Sequence, residues 1–87
     1  MGNANANPDD LRRFSKSLRR FAQEVDASLA RLNSEFRSLH WQDDQQKRFE
    51  TEFQRSTASM KAFLRSVEDY APALERKARA LDDYRRA

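Results

Sequence analysis

Residues 37–46 read Arg-Ser-Leu-His-Trp-Gln-Asp-Asp-Gln-Gln, and this stretch separates two long apolar repeats. Before it, apolar residues recur every three or four positions up to Leu39, and the same spacing resumes after it from Phe49 onward. Alternating steps of three and four place all these side chains on one stripe of an α-helix. The sequence therefore predicts an all-α fold, an antiparallel two-helix hairpin with its turn at residues 40–43.

Signals at the start of each helix set the expected boundaries. Asn7 is a suitable N-cap for the first helix, with Pro8 at its first helical position. Asp43, followed three residues later by Gln46, matches a capping box for the second helix. The expected order is a disordered N-terminal tail and two helices, over residues 1–7, 8–39 and 43–71.

The chain beyond residue 71 is expected to differ from the hairpin. Pro72 removes one helical hydrogen bond and its ring clashes with the preceding turn, at a cost of ~3 kcal/mol. Counting outward from the turn places Leu11 opposite Ala71, which leaves residues 72–87 without an intramolecular partner. We therefore predict a helical hairpin over residues 8–71 and a kinked, amphipathic helical extension over residues 72–87.

Length and composition limit what the chain can be. Its 87 residues suffice for one small domain, and a single seam between two helices buries little apolar surface. With no cysteine and one histidine, disulfides are excluded and a zinc site is not expected. We expect no cofactor, and we expect stability to come from pairing with another hairpin in a four-helix bundle.

Neither a membrane span nor a signal peptide is expected. A spanning helix needs about 20 consecutive apolar residues, and the sequence contains no such run. The first seven residues lack both the basic start and the apolar centre of a secretory leader. The expected localisation is cytoplasmic, or secreted by a route that does not need a leader, or both.

Two sets of residues are predicted to hold the hairpin together. Trp41 should close it by covering the last core layer, because its ring is apolar and its N–H polar; a docking role for the same ring is also open. Asp43 completes the turn motif with Trp41. The predicted helix–helix seam consists of Leu18, Phe21, Val25, Phe53, Met60, Phe63 and Val67.

The charged residues are unevenly distributed along the chain. Residues 9–20 and 61–87 together hold twelve Lys/Arg and seven Asp/Glu, a net charge of +5 in a chain whose total is +3. A hairpin with a basic open end could bind an acidic partner, nucleic acid included. Interleaved acids, and aromatic residues that belong to the seam, argue against nucleic-acid binding.

No pattern indicates an enzyme. The acids and bases fall at helix-surface spacings, the serines lack any triad context, and no glycine-rich phosphate loop is present. We expect no catalytic, cofactor-binding or metal-binding residue. The chain is interpreted as a protein–protein interaction module.

The turn resembles that of the WXG family, the small early-secreted-antigen-like hairpins associated with bacterial type VII secretion. The resemblance rests on length, architecture and four residues, Leu39, Trp41, Phe49 and Phe53. Asp43 stands where the family has glycine, but aspartate can also end a turn and cap a helix. The resemblance implies a dimer of hairpins, homodimeric or formed with a related hairpin, that serves as a secreted factor or adaptor.

The resemblance also bears on the C-terminal segment. Exported members carry a tyrosine with an acid four residues later, whereas here Leu74 follows Tyr70 at that spacing and Tyr84 is too near the end. The sequence therefore departs from the family's export signal. The residues expected to contact a partner or the secretion machinery are Tyr70, Leu74, Leu81 and Tyr84.

A filament-forming subunit of the type III needle kind is another alternative, because such subunits are also short helical hairpins. The turn here lacks the proline-bearing loop expected of them. Concentration-dependent polymers would distinguish this alternative from a discrete dimer.

Overall fold

The computed structural model describes residues 6–86, which form two helices and no strand. Helix α1 spans Pro8–Arg37 and helix α2 spans Asp44–Arg86. Phe36 near the end of α1 packs against Phe49 near the start of α2, so the helices run antiparallel. The predicted all-α hairpin is confirmed.

Both helix starts are capped by the residues that the sequence indicated. The Asn7 Oδ1 atom accepts hydrogen bonds from the backbone N–H of Asp9 at 2.8 Å and of Asp10 at 3.4 Å. Asp43 Oδ1 accepts from the backbone N–H of Gln46 at 2.8 Å. Each cap satisfies N–H groups that the helix itself leaves without a partner. Of the predicted disordered tail, residues 1–5 lie outside the described part of the chain.

Helix α2 continues through Pro72 and stays beside α1, so the expectation of a segment without an intramolecular partner is wrong. Arg12 pairs with Asp82, and Arg85 Nη2 donates to the carbonyl oxygen of Ala6 at 3.4 Å. A straight helix of 43 residues would be about 64 Å long, and the longest dimension of the molecule is 66 Å. The contacts with α1 thus outweigh the hydrogen bond lost at Pro72. The last residue of the predicted segment, residue 87, is not among those described.

The contact between the helices is narrow and contains several small residues. Ser15, Ala71 and Ala78 are completely buried, and Val67 is 1% exposed. Three leucines, Leu29, Leu64 and Leu81, are also buried, as is Pro8 at the start of α1. Small side chains at a helix–helix contact allow the two axes to approach closely. The large aromatic residues are left at the edges of this contact.

Candidate functional site: an exposed apolar face

Large apolar side chains remain exposed along the whole length of the hairpin. Most of them recur at multiples of seven residues within each helix, with a step of eleven from Phe21 to Leu32 and with Met60 one helical turn before Phe63. Each of these residues is between 44% and 72% exposed to solvent. We call this set the apolar face: Phe14, Phe21, Leu32, Leu39, Phe49, Met60, Phe63, Tyr70 and Tyr84.

Helix α2 contributes one long row to the apolar face. Phe49, Phe63, Tyr70 and Tyr84 are separated by multiples of seven residues, with Ser56 and Lys77 at the positions between them. The row is joined to α1 by Phe63, whose ring lies edge-on to that of Phe21 with 6.4 Å between centroids. The two helices therefore present one continuous surface rather than two separate stripes.

An aromatic cluster lies at the closed end, where the turn joins the helices. Phe36 is its centre: its ring centroid is 5.4 Å from Phe49, 6.0 Å from Phe53 and 6.5 Å from Trp41. Trp41 also packs on Phe49 at 6.1 Å, and Phe49 stacks on Phe53 at 5.9 Å. Trp41 is half-buried and packs across the end of both helices, which is the position expected of a residue that closes the hairpin.

The apolar face is concave beside this cluster. A cavity of about 310 Å³ opens there and is lined almost entirely by apolar side chains. A second, shallower cavity of about 410 Å³ follows it toward the middle of the molecule. Leu32 lines both cavities, so they form one groove, with Trp41 and Phe49 at one end and Phe21 and Met60 at the other.

The opposite face of the hairpin has a different chemical character. A cavity of about 550 Å³ on this face is lined mainly by polar, charged and small side chains such as Asp26, Asn33, Thr57 and Lys61. Asp26 and Lys61 also line the neighbouring cavity on that side. We call this the polar face. Of the two faces, the apolar face is therefore the one whose surface water solvates poorly.

Polar contacts join the helices at the open end, where α1 begins and α2 ends. Ser15 Oγ is buried and lies 2.6 Å from Glu75 Oε2 and 3.1 Å from the carbonyl oxygen of Ala71. Its single proton can be donated to one of them at a time, and the shorter distance favours Glu75. Arg19 Nη2 donates to the other oxygen of Glu75 at 3.0 Å. Arg12 bridges Asp9 and Asp82.

These contacts affect the ionisation of both carboxylates. The hydrogen bond from Ser15, followed by that from Arg19, holds the pKa of Glu75 below its ordinary value. The hydrogen bond from Arg12 likewise lowers the pKa of Asp82. Both carboxylates are in contact with solvent, so each contributes little to stability.

The predicted seam residues divide between the core and the apolar face. Val67 is buried, while Leu18, Val25 and Phe53 are partly covered. Phe21, Met60 and Phe63 are 44–51% exposed and belong to the apolar face. A single neighbouring helix covers a narrower stripe than the apolar repeat supplies. The surplus of large side chains is what creates the exposed face.

The residues proposed from the sequence for partner recognition also divide. Tyr70 and Tyr84 are exposed, whereas Leu74 is half-buried and Leu81 is buried against the interior of the hairpin. In this conformation the four side chains do not form one accessible surface. The two tyrosines belong to the same row of α2 as Phe49 and Phe63, at multiples of seven residues.

Sequence reasoning missed the small residues of the core. Ser15, Ala22, Leu29 and Phe36 form a strict seven-residue row on α1, and Leu64, Ala71 and Ala78 form another on α2. The strict spacing was the signal that could have identified these rows. Serine and alanine are small and only weakly apolar or polar. The prediction therefore placed larger aromatic residues, one position away in sequence, in the seam.

The sequence matches the profile of one known protein family. The family profile described as "Proteins of 100 residues with WXG" matches from residue 3 to residue 84. The chain belongs to this family, WXG100. The match covers nearly the entire hairpin, including the Trp41 turn, and it supports the resemblance to the type VII secretion-associated hairpins over the needle-like and nucleic-acid-binding alternatives.

Solved structures of the secreted protein EsxB from Bacillus anthracis str. Sterne are similar to this hairpin. A proline-to-alanine variant of EsxB is 25% identical, with a TM-score of 0.81 over 95% of this chain and 96% of that one. Wild-type EsxB is also 25% identical, with a TM-score of 0.78 over 93% and 89%. The similarity therefore extends over nearly all of both compared chains.

No curated protein matches the sequence significantly. Neither α1 nor α2 is long and apolar enough to cross a membrane. Over residues 6–86, no group of three or more side chains of the metal-binding types comes together.

Proposed function

We propose that the apolar face of this WXG100 hairpin binds the apolar face of a second copy, producing a four-helix bundle. The observation that carries the proposal is the set of nine large apolar side chains, from Phe14 to Tyr84, that the hairpin leaves 44–72% exposed. Monomeric soluble proteins rarely expose contiguous apolar surface on this scale. A second copy is favoured because most soluble oligomers are symmetric assemblies of one chain.

The dimensions of the hairpin support the same proposal. Its accessible surface is 7112 Å², whereas a compact monomer of 10.3 kDa would have roughly 5,400 Å². The molecule measures 66 × 21 × 14 Å, which is a single layer of two helices. Domains ordinarily consist of two packed layers around a core. A second hairpin on the apolar face supplies the missing layer.

We further propose that the dimer is a non-enzymatic factor or adaptor that leaves the cell through type VII machinery without a leader. Membership of WXG100 and the full-length similarity to the secreted protein EsxB support this proposal. The departure from the family's tyrosine–acid spacing at Tyr70 and Leu74 makes export itself the point to test.

The dimer proposal is tested by placing a charge on each face of α2 in turn. Phe63→Glu puts a carboxylate on the apolar face, and the matched control Gln54→Glu makes the same change of charge on the polar face. Light scattering should give a dimer for Gln54→Glu and a helical monomer for Phe63→Glu. Dimers of both variants would show that the apolar face is not the contact.

Export is tested in the natural host, with type VII transport intact or disrupted. The proposal predicts the protein in the culture medium of the intact strain alone, and an abundant cytoplasmic protein monitored alongside reports lysis. Equal release from both strains, or retention in both, would contradict export by this route. The Phe63→Glu variant then shows whether the machinery requires the dimer.

A further inference from the structure

We propose that residues 73–86 of α2 act as a strap that detaches from α1 and re-attaches as a unit, and that Ser15 with its partners is the latch that holds it. The latch consists of Ser15, Arg19 and Glu75, together with the Arg12–Asp82 pair. The inference depends on the contacts at the open end and not on the dimer proposed above.

A weak joint separates the strap from the rest of α2. Pro72 has no backbone N–H, so the carbonyl oxygen of Glu68 lacks the hydrogen bond that continues the helix at this point. Ala71 and Val67, immediately before the joint, are almost completely buried. The helix up to residue 71 is therefore anchored by packing, and the backbone connection to the strap is weaker than elsewhere.

The strap has little apolar surface to keep it in place. Ala78 and Leu81 are its only buried side chains, and that of Ala78 is no larger than a methyl group. A free helix of fourteen residues is marginal in water, so the strap must dock on α1 to stay helical. Segments with few apolar contacts open locally at a smaller free-energy cost than the whole molecule.

Polar contacts with α1 supply the stabilisation that the few apolar contacts of the strap do not provide. Glu75 and Asp82 are seven residues apart, so both carboxylates point from the strap toward the same side of α1. There Glu75 accepts hydrogen bonds from Ser15 at 2.6 Å and from Arg19 at 3.0 Å, and Asp82 pairs with Arg12. Ser15 is the one member of this network that is completely buried.

Opening the strap would change which residues a partner can reach. In the closed state Leu81 is 7% exposed and Ala78 is inaccessible. The detached strap is only marginally helical, but a partner that re-forms its helix would meet these side chains and Leu74 on one apolar stripe, at i, i+4 and i+7. A protein partner with an apolar groove for a helix could then bind this stripe. The strap would thus reconcile the buried position of Leu81 with a role in recognition.

Amide hydrogen exchange of the full chain tests the latch. Ser15→Ala removes the buried hydroxyl, and Ser17→Ala makes the same substitution at an exposed position two residues away. In the unaltered chain, residues 76–85 should exchange faster than residues 20–34 and 50–68, because they can open without the rest of the molecule. Losing one hydrogen bond should accelerate exchange at residues 76–85 by about fivefold. Equal protection of all three regions in the unaltered chain, or no difference between Ser15→Ala and Ser17→Ala at residues 76–85, would overturn the proposal.

A second variant tests the joint. Pro72→Ala restores the backbone N–H and should slow exchange in the strap until it resembles that of residues 50–68. Exchange in the strap that does not slow would show that Pro72 is not the boundary of the opening unit. The mass of each sample is measured in parallel, so that loss of the dimer is distinguished from failure of the latch.

Discussion

The two ends of the hairpin hold the same pair of helices together by different means. At the closed end, the rings of Phe36, Trp41, Phe49 and Phe53 make contacts with 5.4–6.5 Å between centroids. At the open end, Ser15 and the small residues Ala71 and Ala78 bring the helices close, and charged side chains complete the contact. Large side chains keep helices apart and fill the space, whereas small ones let the backbones meet.

This difference predicts how each end responds to change. Aromatic packing contributes through buried area, so its loss is costly and almost independent of pH. The polar contacts at the open end are each worth little and depend on ionisation. The closed end should therefore govern the stability of the whole hairpin, and the open end should govern the local behaviour of the last turns of α2.

The largest effect is expected from Phe36→Ala. Phe36 contacts three other aromatic residues, so truncation removes the centre of the cluster and leaves a cavity. We expect the free energy of unfolding to fall by about 3 kcal/mol in urea titrations. His40→Ala, in the exposed turn, is the control and should change it by less than about 0.5 kcal/mol. Similar losses for the two variants would mean that the cluster does not close the hairpin.

A somewhat smaller effect is expected from enlarging the close contact at the open end. Ala71→Leu adds three carbons where the helices touch, and overpacking of this kind costs about 1–3 kcal/mol. Ala73→Leu, on the exposed side of the same turn, is the matched control. Thermal unfolding should separate them clearly. If Ala71→Leu is as stable as Ala73→Leu, the open end is less tightly packed than described.

Removing the buried hydroxyl should cost less again. Ser15→Ala is expected to lower the free energy of unfolding by about 1 kcal/mol, because Ala71 keeps its place in the helix and Glu75 keeps Arg19. Ser17→Ala should leave it nearly unchanged. A Ser15→Ala variant more stable than the unaltered chain would show that the free-energy cost of burying the hydroxyl exceeds the stabilisation from its hydrogen bonds.

The smallest effect concerns pH. Because the pKa values of Glu75 and Asp82 are lowered in the folded chain, their contribution to stability is present above about pH 4 and is lost as the pH falls through the folded-state values. Exchange at residues 76–85, corrected for the intrinsic effect of pH, should rise below pH 4 more than at residues 50–68. The Glu75→Gln variant should reduce that difference, and an unchanged difference would contradict the assignment.

Periodicity was sufficient to predict the helices, their antiparallel arrangement and their caps. Asn7 and Asp43 are residue types that cap helices, and steps of three and four in an apolar repeat are typical of a helix. The path of residues 72–86 could not be predicted, because a local rule about Pro72 competes with contacts sixty or seventy residues away in sequence. Arg12 and Asp82 carry no local sign that they pair.

The apolar face could be predicted only in part, for a related reason. The repeat identifies which residues are apolar, but a hairpin covers a stripe only as wide as one neighbouring helix. Which members are covered depends on the rotation of each helix, and that rotation is set here by Ser15, Ala71 and Ala78. Phe21 and Phe63 were therefore assigned to the seam although they are half-exposed beside it.

The mass of the unaltered protein in solution tests the central claim most directly. Light scattering across micromolar concentrations should give about twice the chain mass of 10.3 kDa, with no further growth on concentration. This result is the one expected if a second copy covers the apolar face, and the Phe63→Glu and Gln54→Glu variants then locate the contact. A folded monomer at every concentration would contradict the account, and a partly unfolded monomer would point to a different hairpin as the obligate partner.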